Sequence, residues 1–438
     1  MDINEILKKA ISSGASDIHL KVGNKPIMRV NGSLKHMNEY PRISPDVLTN
    51  MGNSIMSKQQ REHYNRTHDL DMAYGVPSLG RFRVNIFQQK GSMGMVLRII
   101  PSKIKTIREL LLPDILEKIA EERRGLILLT GTTGSGKSTT LAALIDQINS
   151  TRADNIVTIE DPIEFLIRDK KSIVNQRELG VDTISFSKAI KSALRQDPDV
   201  ILVGEMRDFE TIETALTAAE TGHLVMSTLH TIDASETINR IISVFPPHQQ
   251  KQVRIQLASI LKAVISQRLV PTKTGGRVAA IEVMLSTGRI RDMIADPERT
   301  KEITDAIAEG HNNYGMQTFD QSLMKLISNG TISYKDALNN SSNPDDFALK
   351  FSGVGGSSDS GWKDFGGGNS SPNNTSQQMS QENVTDFIDD DVELIDDFEE
   401  MSPIDDIGLE MTTDNNVKKK ESEKKKNKFD FSNMDDLF

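Results

Sequence analysis

The chain has 438 residues and no cysteine, length enough for two or three domains and a composition that excludes disulfides, thiolate zinc sites and cysteine nucleophiles. Its net charge of −10 is concentrated at one end: from Phe351 onward 21 acidic residues face 8 basic ones, net −13, which leaves the body at +3. A near-neutral body without aromatic-basic clustering offers little support for a nucleic-acid channel. No apolar run approaches the ~18 residues of a membrane span and the start lacks a signal-peptide pattern, so the expectation is a cytoplasmic protein that reaches a membrane only through partners.

In chain order, Ile3, Ile6, Leu7, Ala10 and Ile11 recur at helical spacing and predict an amphipathic helix ending near Ser13 and Gly14. Strand-like runs follow at 18–22 and 27–30, with Asn31-Gly32 as a hairpin signal. Ser44-Pro45 reads as the cap and first residue of a helix to about Met56, and further strands are expected at 70–74, 81–88 and 93–100. Residues 1–100 therefore predict a small α+β domain, and the polar, β-branched stretch 101–112 a hinge.

Beyond the hinge, apolar strands at 126–130, 156–159, 200–203 and 224–228 alternate with helical stretches at 139–148, 186–195, 209–221 and 234–243. This alternation predicts an α/β domain with a parallel sheet covered on both faces and its ligand at the carboxyl ends of the strands. From Pro246 to about Phe351 the pattern reads as mostly helical, with one strand near 278–284 and helices capped by Thr318, Ser333 and Asn343. The domain is thus expected to span 113–351. Residues 352–438 open with a Gly/Ser/Asn/Gln segment that holds the single tryptophan, Trp362. Beyond it, Ile388, Val392 and Ile395 are spaced for a short partner-bound helix, before a basic block from Lys418 to Lys428. The expectation is a disordered acidic tail that docks on an unknown partner or serves as a solvated appendage.

The chemistry centres on Gly131-Thr132-Thr133-Gly134-Ser135-Gly136-Lys137-Ser138-Thr139, a P-loop following an apolar strand. Glycines at 131, 134 and 136 let backbone N–H groups approach phosphate oxygens. Lys137 supplies charge for the β- and γ-phosphates of ATP, and the Ser138 hydroxyl suits Mg²⁺ at the start of a helix. Three further segments should meet the loop at the same sheet edge. Glu160, Asp161 and Glu164 follow one strand, placing carboxylates where Mg²⁺ and the attacking water would sit. Glu205 ends the strand Asp199–Val203 after Gly204 and is the leading candidate to orient the water, with Glu160, Glu205 and Ser138 as candidate metal ligands. His223 and His230 bracket the strand 224–228 and are candidates to sense the γ-phosphate. No arginine stands out beside these motifs in the P-loop domain. Arg81, Arg83 and Arg98 of the small domain are expected to reach a neighbouring subunit's nucleotide.

Together, Gly-Thr-Thr-Gly-Ser-Gly-Lys-Ser at 131–138, Ile-Glu-Asp-Pro-Ile-Glu at 159–164, Leu-Val-Gly-Glu-Met-Arg-Asp at 202–208 and Thr-Gly-His…Ser-Thr-Leu-His at 221–230 resemble the secretion ATPase superfamily, and within it the PilT family of type IV pilus retraction motors. Gly-Ala-Ser-Asp-Ile-His at 14–19, Gly-Arg-Phe-Arg-Val-Asn at 80–85 and Gly-Met-Gln-Thr-Phe-Asp-Gln-Ser at 315–322 extend the resemblance to about Phe351. The resemblance implies a RecA-like ATPase domain behind a PAS-like domain, in a homo-hexamer where the small domain of one subunit packs on the ATPase domain of the next. It also implies Glu205 as catalytic carboxylate, Glu160 and Glu164 supporting metal and water, and an inner-membrane pilus platform protein as partner. The family motif Ala-Ile-Arg-Asn-Leu-Ile-Arg-Glu aligns with 289–296, where Ile290, Arg291 and Ile294 are kept but Ala295 and Asp296 replace the second Arg and the Glu. This departure leaves an alternative, an accessory role like that of PilU beside a second retraction ATPase. The other readings are an ATP-binding regulator without useful turnover and a nucleic-acid motor. The absence of cysteine separates the chain from assembly-type relatives with a tetracysteine zinc site.

Overall fold

The computed structural model describes residues 1–352 apart from Ser78 and Ser102. The expectations for the tail, including Trp362 and the 388–395 segment, lie outside the described residues. Helix α1 (Ile3–Ser12) forms where the apolar spacing places it and buries Ile3, Ile6, Leu7 and Ala10. Six strands follow: β1 (Ala15–Lys21), β2 (Ile27–Val30), β3 (Ser33–His36), β4 (Asp69–Val76), β5 (Gly80–Gln89) and β6 (Ser92–Ile100). They pair antiparallel in the order β3-β2-β1-β6-β5-β4. The Asn31-Gly32 turn closes the β2–β3 hairpin with both residues at positive φ, 51° and 80°, as a type I′ turn requires.

Between β3 and β4 lie α2 (Pro45–Ile55), capped by the Ser44 hydroxyl on the Val47 N–H at 3.3 Å, and α3 (Lys58–Thr67). The latter was not anticipated, because its polar sequence buries only Tyr64 and carries almost no periodic signal. Alternation along the strands sends Ile18, Leu20, Phe82, Val84, Ile86, Met95 and Leu97 into the core beneath α1 and α2. The opposite face carries Arg29, Asp17, Arg98 and Arg83 as register neighbours on adjacent strands.

Within the stretch 101–112, Ile107 and Leu112 are buried in the core of the following sheet. After α4 (Ile115–Ile119), that sheet is built from β7 (Gly125–Thr130), β8 (Asn155–Glu160), β9 (Ile173–Glu178), β10 (Val200–Val203), β11 (Leu224–Leu229), β12 (Leu261–Pro271) and β13 (Arg277–Leu285). The order is β13-β12-β7-β11-β10-β8-β9, parallel except for the edge pair β12–β13. Leu126 and Leu128 pack among α6 (Phe186–Ala193), α7 (Phe209–Glu220), α8 (Ala234–Ser243), α9 (Pro247–Ile260) and α10 (Gly288–Ala295). Ile127 and Leu129 pack on the opposite face with α5 (Lys137–Thr151). A strand buried on both faces reads as a continuous apolar run, which is what Leu126–Leu129 are. The last part carries the caps expected at Thr318, Ser333 and Asn343.

The reading of 246–351 as mostly helical with one strand is corrected by β12. Helix α9 ends at Ile260 and the strand begins at Leu261, with no glycine or proline between them. Its apolar run satisfies helical and strand patterns alike.

Candidate active site

The carboxyl ends of β7, β8, β10 and β11 open onto one cavity of about 510 Å³. Its lining includes Thr133, Gly134, Gly136, Lys137, Ser138 and Thr139 of the P-loop, Glu160 at the end of β8 and Glu164 beyond it, Glu205 after β10, Thr228 on β11 and His230 just after it. A parallel sheet aligns all these strand ends on one edge, so four segments spread over a hundred residues of sequence meet there.

The P-loop joins β7 to α5, and its glycines adopt φ of 139° (Gly131), 79° (Gly134) and 92° (Gly136). The reason for glycine differs by position. A Cβ at Gly134 would meet nothing within 4 Å, leaving that approach open to a ligand. At Gly131 it would stand 2.4 Å from the Gln267 carbonyl, and at Gly136 2.7 Å from the Gln267 side-chain nitrogen. The first position thus leaves the approach to the loop open; the other two admit β12. Lys137 is buried and its ammonium donates to the carbonyls of Gly131 at 2.7 Å and Thr132 at 3.0 Å. Burial pushes its pKa down, and the carboxylates of Glu164 and Glu205 counter that effect.

Glu160 lies at the end of β8, where burial raises its pKa while bonds from the Thr158 hydroxyl (2.7 Å) and the Gln176 amide (3.0 Å) oppose the rise. Gln176, on the unanticipated strand β9, also donates to the Phe165 carbonyl at 2.9 Å and accepts from the Ile167 N–H at 2.9 Å, so it holds the whole 160–167 loop. Glu205 sits on the turn beyond β10, ion-paired to Arg207 at 2.7 Å and 3.6 Å from His230 Nε2. Thr228 fixes that turn by donating to the Gly204 carbonyl at 2.7 Å. Asp208 closes it by accepting from the Thr211 N–H at 2.9 Å, capping α7.

Several sequence expectations change. His223 is not at the cavity: it precedes β11 at the amino end, with Nδ1 2.9 Å from the Ala218 carbonyl. At about 3.3 Å per residue, the strand separates it from His230 by roughly 20 Å. Arginines do line the cavity within the same domain, Arg207 two residues after Glu205 and Arg277 at the start of β13. Arg207 stood within the 202–208 motif; Arg277 had no signal, since its position depends on the pairing of β13 with β12. Of the small-domain arginines, Arg81 is ion-paired at 2.8 Å to Glu178 of β9, and Arg98 at 2.9 Å to Asp17 of its own sheet. Arg83 is exposed on the same face, and none of the three lines the cavity.

Among the described residues no group of three or more histidines and carboxylates is arranged to hold a metal by itself. The donor set of Ser138, Glu160 and Glu205 fits Mg²⁺, which keeps most of its water and takes only one or two protein oxygens beside those of a phosphate. No helix of the described residues is long and apolar enough to cross a membrane.

These features have counterparts in known proteins. The profile of a family described as Type II/IV secretion system protein matches residues 1–337. The chain is 46% identical over 347 residues to the type IV pilus retractation ATPase PilT of Pseudomonas aeruginosa, an alignment covering 79% of this chain and 100% of that protein. It is 42% identical over 350 residues to the type IV pilus ATPase PilU of the same organism, covering 80% and 91%. Among solved structures, a crystal structure of the pilus retraction motor PilT with bound ADP superposes with a TM-score of 0.73 at 48% identity, covering 79% of this chain and 98% of that one.

Proposed function

The chain belongs to the family of Type II/IV secretion system proteins, and we propose that within it the protein is a Mg²⁺-dependent, hexameric ATPase that powers type IV pilus retraction. The observation that carries this reading is the convergence of Lys137, Glu160, Glu164, Glu205 and His230 on one cavity. The family supplies the ATPase activity; the residue roles below are our assignment.

Phosphoryl transfer to water depends on positioning and on charge. Lys137 and the backbone of 131–138 would bind the phosphates, and Ser138 with Glu160 would hold Mg²⁺, which neutralises phosphate charge when bound. Glu205 would orient and polarise the water, its carboxylate fixed by Arg207 and near His230. Arg207 and Arg277, both lining the cavity, are candidates to neutralise charge developing on the γ-phosphate from within the subunit. The small-domain arginines of a neighbour remain candidates across a ring contact.

A conformational cycle then follows from differential affinity, because ATP bound between subunits would hold the two domains closed and its hydrolysis would remove that preference. The motion would be passed to an inner-membrane pilus platform protein, with the chain working at the cytoplasmic face. A second reading, an accessory motor beside another retraction ATPase, is favoured by Ala295 and Asp296 on and just after α10.

The test is the Mg-ATPase rate across protein concentration, for the wild type and Glu205→Gln. We expect a specific rate that climbs with concentration and falls by about 100-fold in the variant. ATP binding with negligible turnover in the wild type would sink the autonomous motor and leave the accessory reading.

A further inference from the structure

Gln267 lies on β12, outside the motifs that carry the resemblance, and is buried at 3% exposure. Both ends of its amide are engaged with the nucleotide-binding loop. Its Nε2 donates to the Ser135 carbonyl at 2.8 Å, and its Oε1 accepts from the Thr140 hydroxyl at 2.8 Å. The orientation of the amide is fixed, because the Ser135 carbonyl accepts only and so selects the nitrogen. One side chain therefore ties the loop to the first turn of α5, across more than a hundred residues of sequence.

The Ser135 bond has a consequence for phosphate. The peptide between Ser135 and Gly136 is trans, since the chain's one cis bond among the described residues is Asp161–Pro162. In a trans peptide the carbonyl and the following N–H point in opposite directions. Holding the Ser135 carbonyl against the Gln267 amide turns the Gly136 N–H away from that side chain, and Gly136 lines the cavity. That N–H is one of the donors a P-loop presents to phosphate oxygens. Glycine at 131 and 136 is what permits the contact, since a side chain at either would collide with Gln267.

We propose that Gln267 is a positioning residue for phosphate binding: it fixes the peptide between Ser135 and Gly136 so that the loop's N–H donors converge on the nucleotide β-phosphate. It touches no reacting atom itself. The proposal rests on the ATPase reading above.

The experiment compares ADP and AMP as competitors of a fluorescent ATP analogue on the full-length wild type, Gln267→Met, Thr140→Val and Lys137→Ala. Methionine keeps length and apolar bulk and removes both bonds; valine removes the Thr140 bond alone. We expect Gln267→Met to lose about tenfold in ADP affinity with AMP affinity held within twofold, and Thr140→Val to lose about threefold. A residue that served only the fold would lower melting temperature and leave the ratio of ADP to AMP affinity unchanged. That unchanged ratio in both variants overturns the proposal. Should Gln267→Met fail to fold, the ratio in Thr140→Val decides. The ATPase reading fails separately, if the wild type binds neither ATP nor ADP or if Lys137→Ala binds them as the wild type does.

Discussion

Replacing Glu282 with glutamine should change how stability depends on pH. Glu282 is on β13 at 3% exposure; its Oε1 accepts from the Ala234 N–H at 2.9 Å, at the start of α8, and from the Ser266 hydroxyl at 3.2 Å. Burial pushes its pKa up to about 7; the Asp233 carboxylate adds to the rise, while the two hydrogen bonds and the Arg268 guanidinium oppose it. Because the folded value lies above the unfolded one, the native state binds the proton more tightly. Stability is full below about pH 4.5, falls as the pH rises to 7, and is level above that. Moving the carboxyl from 4.5 to about 7, at 1.36 kcal/mol per pK unit, corresponds to roughly 3 kcal/mol.

Glutamine keeps the accepting oxygen and has no charge to bury. The measurement is the melting temperature of wild type and Glu282→Gln from pH 4.5 to 8.5. The variant should gain on the wild type through that window by on the order of 5 °C and then run parallel to it. Curves that run parallel from pH 4.5 upward would refute the reasoning, because Glu282 would then ionise in the native state at the ordinary value.

Two further perturbations separate roles that the geometry distinguishes. Arg81→Ala leaves the Glu178 carboxylate, whose side chain is 6% exposed, with the Ile163 N–H at 3.4 Å and no arginine, and should destabilise by about 2 kcal/mol; adding Glu178→Gln should recover part of the loss, whereas strictly additive effects would show the pair to be uncoupled. His230→Ala should lower kcat about tenfold, while His223→Ala, which loses its contact with the Ala218 carbonyl, should keep kcat within twofold and cost about 1 kcal/mol of stability; equal kcat losses in steady-state assays would return His223 to the site.

The P-loop domain was legible where its chemistry is written in consecutive residues. Gly131 to Ser138 announce a strand, a turn and a helix start together, and the parallel arrangement then places Glu160, Glu205 and His230 at one edge. Position along a strand was less legible. His223 and His230 look equivalent as a pair in sequence, yet one stands at each end of β11, and of the two only His230, at the carboxyl end, lines the cavity. The role of Arg81 was hidden for another reason. Strand β9, Ile173–Glu178, is short and polar, so nothing in the sequence offered Glu178 as its partner within the chain.

Strand β12, like β9 not anticipated, brings to the site residues that the sequence left out. Helix α9 runs into it without a break, and its apolar residues fit either period, so pattern alone cannot assign it. Once paired with β7, it continues past the end of that strand, beside the P-loop, with Ser266 opposite Thr130. Three consecutive side chains then reach three parts of the domain. Ser266 bonds Glu282, which holds the start of α8 just after His230. Gln267 bonds the P-loop. Arg268 donates to the Asn340 carbonyl at 2.8 Å and lies 3.8 Å over the Phe319 ring, among the last helices. Alternation in a strand requires Gln267 to point opposite to its two neighbours. The P-loop, the His230 side of the site and the C-terminal helices are therefore all held by one short backbone segment. In close-packed surroundings that segment cannot yield at one residue alone. The P-loop and the outer helices are thus joined through a strand outside the motifs that pointed to function, which is why function here was easier to read than this connection.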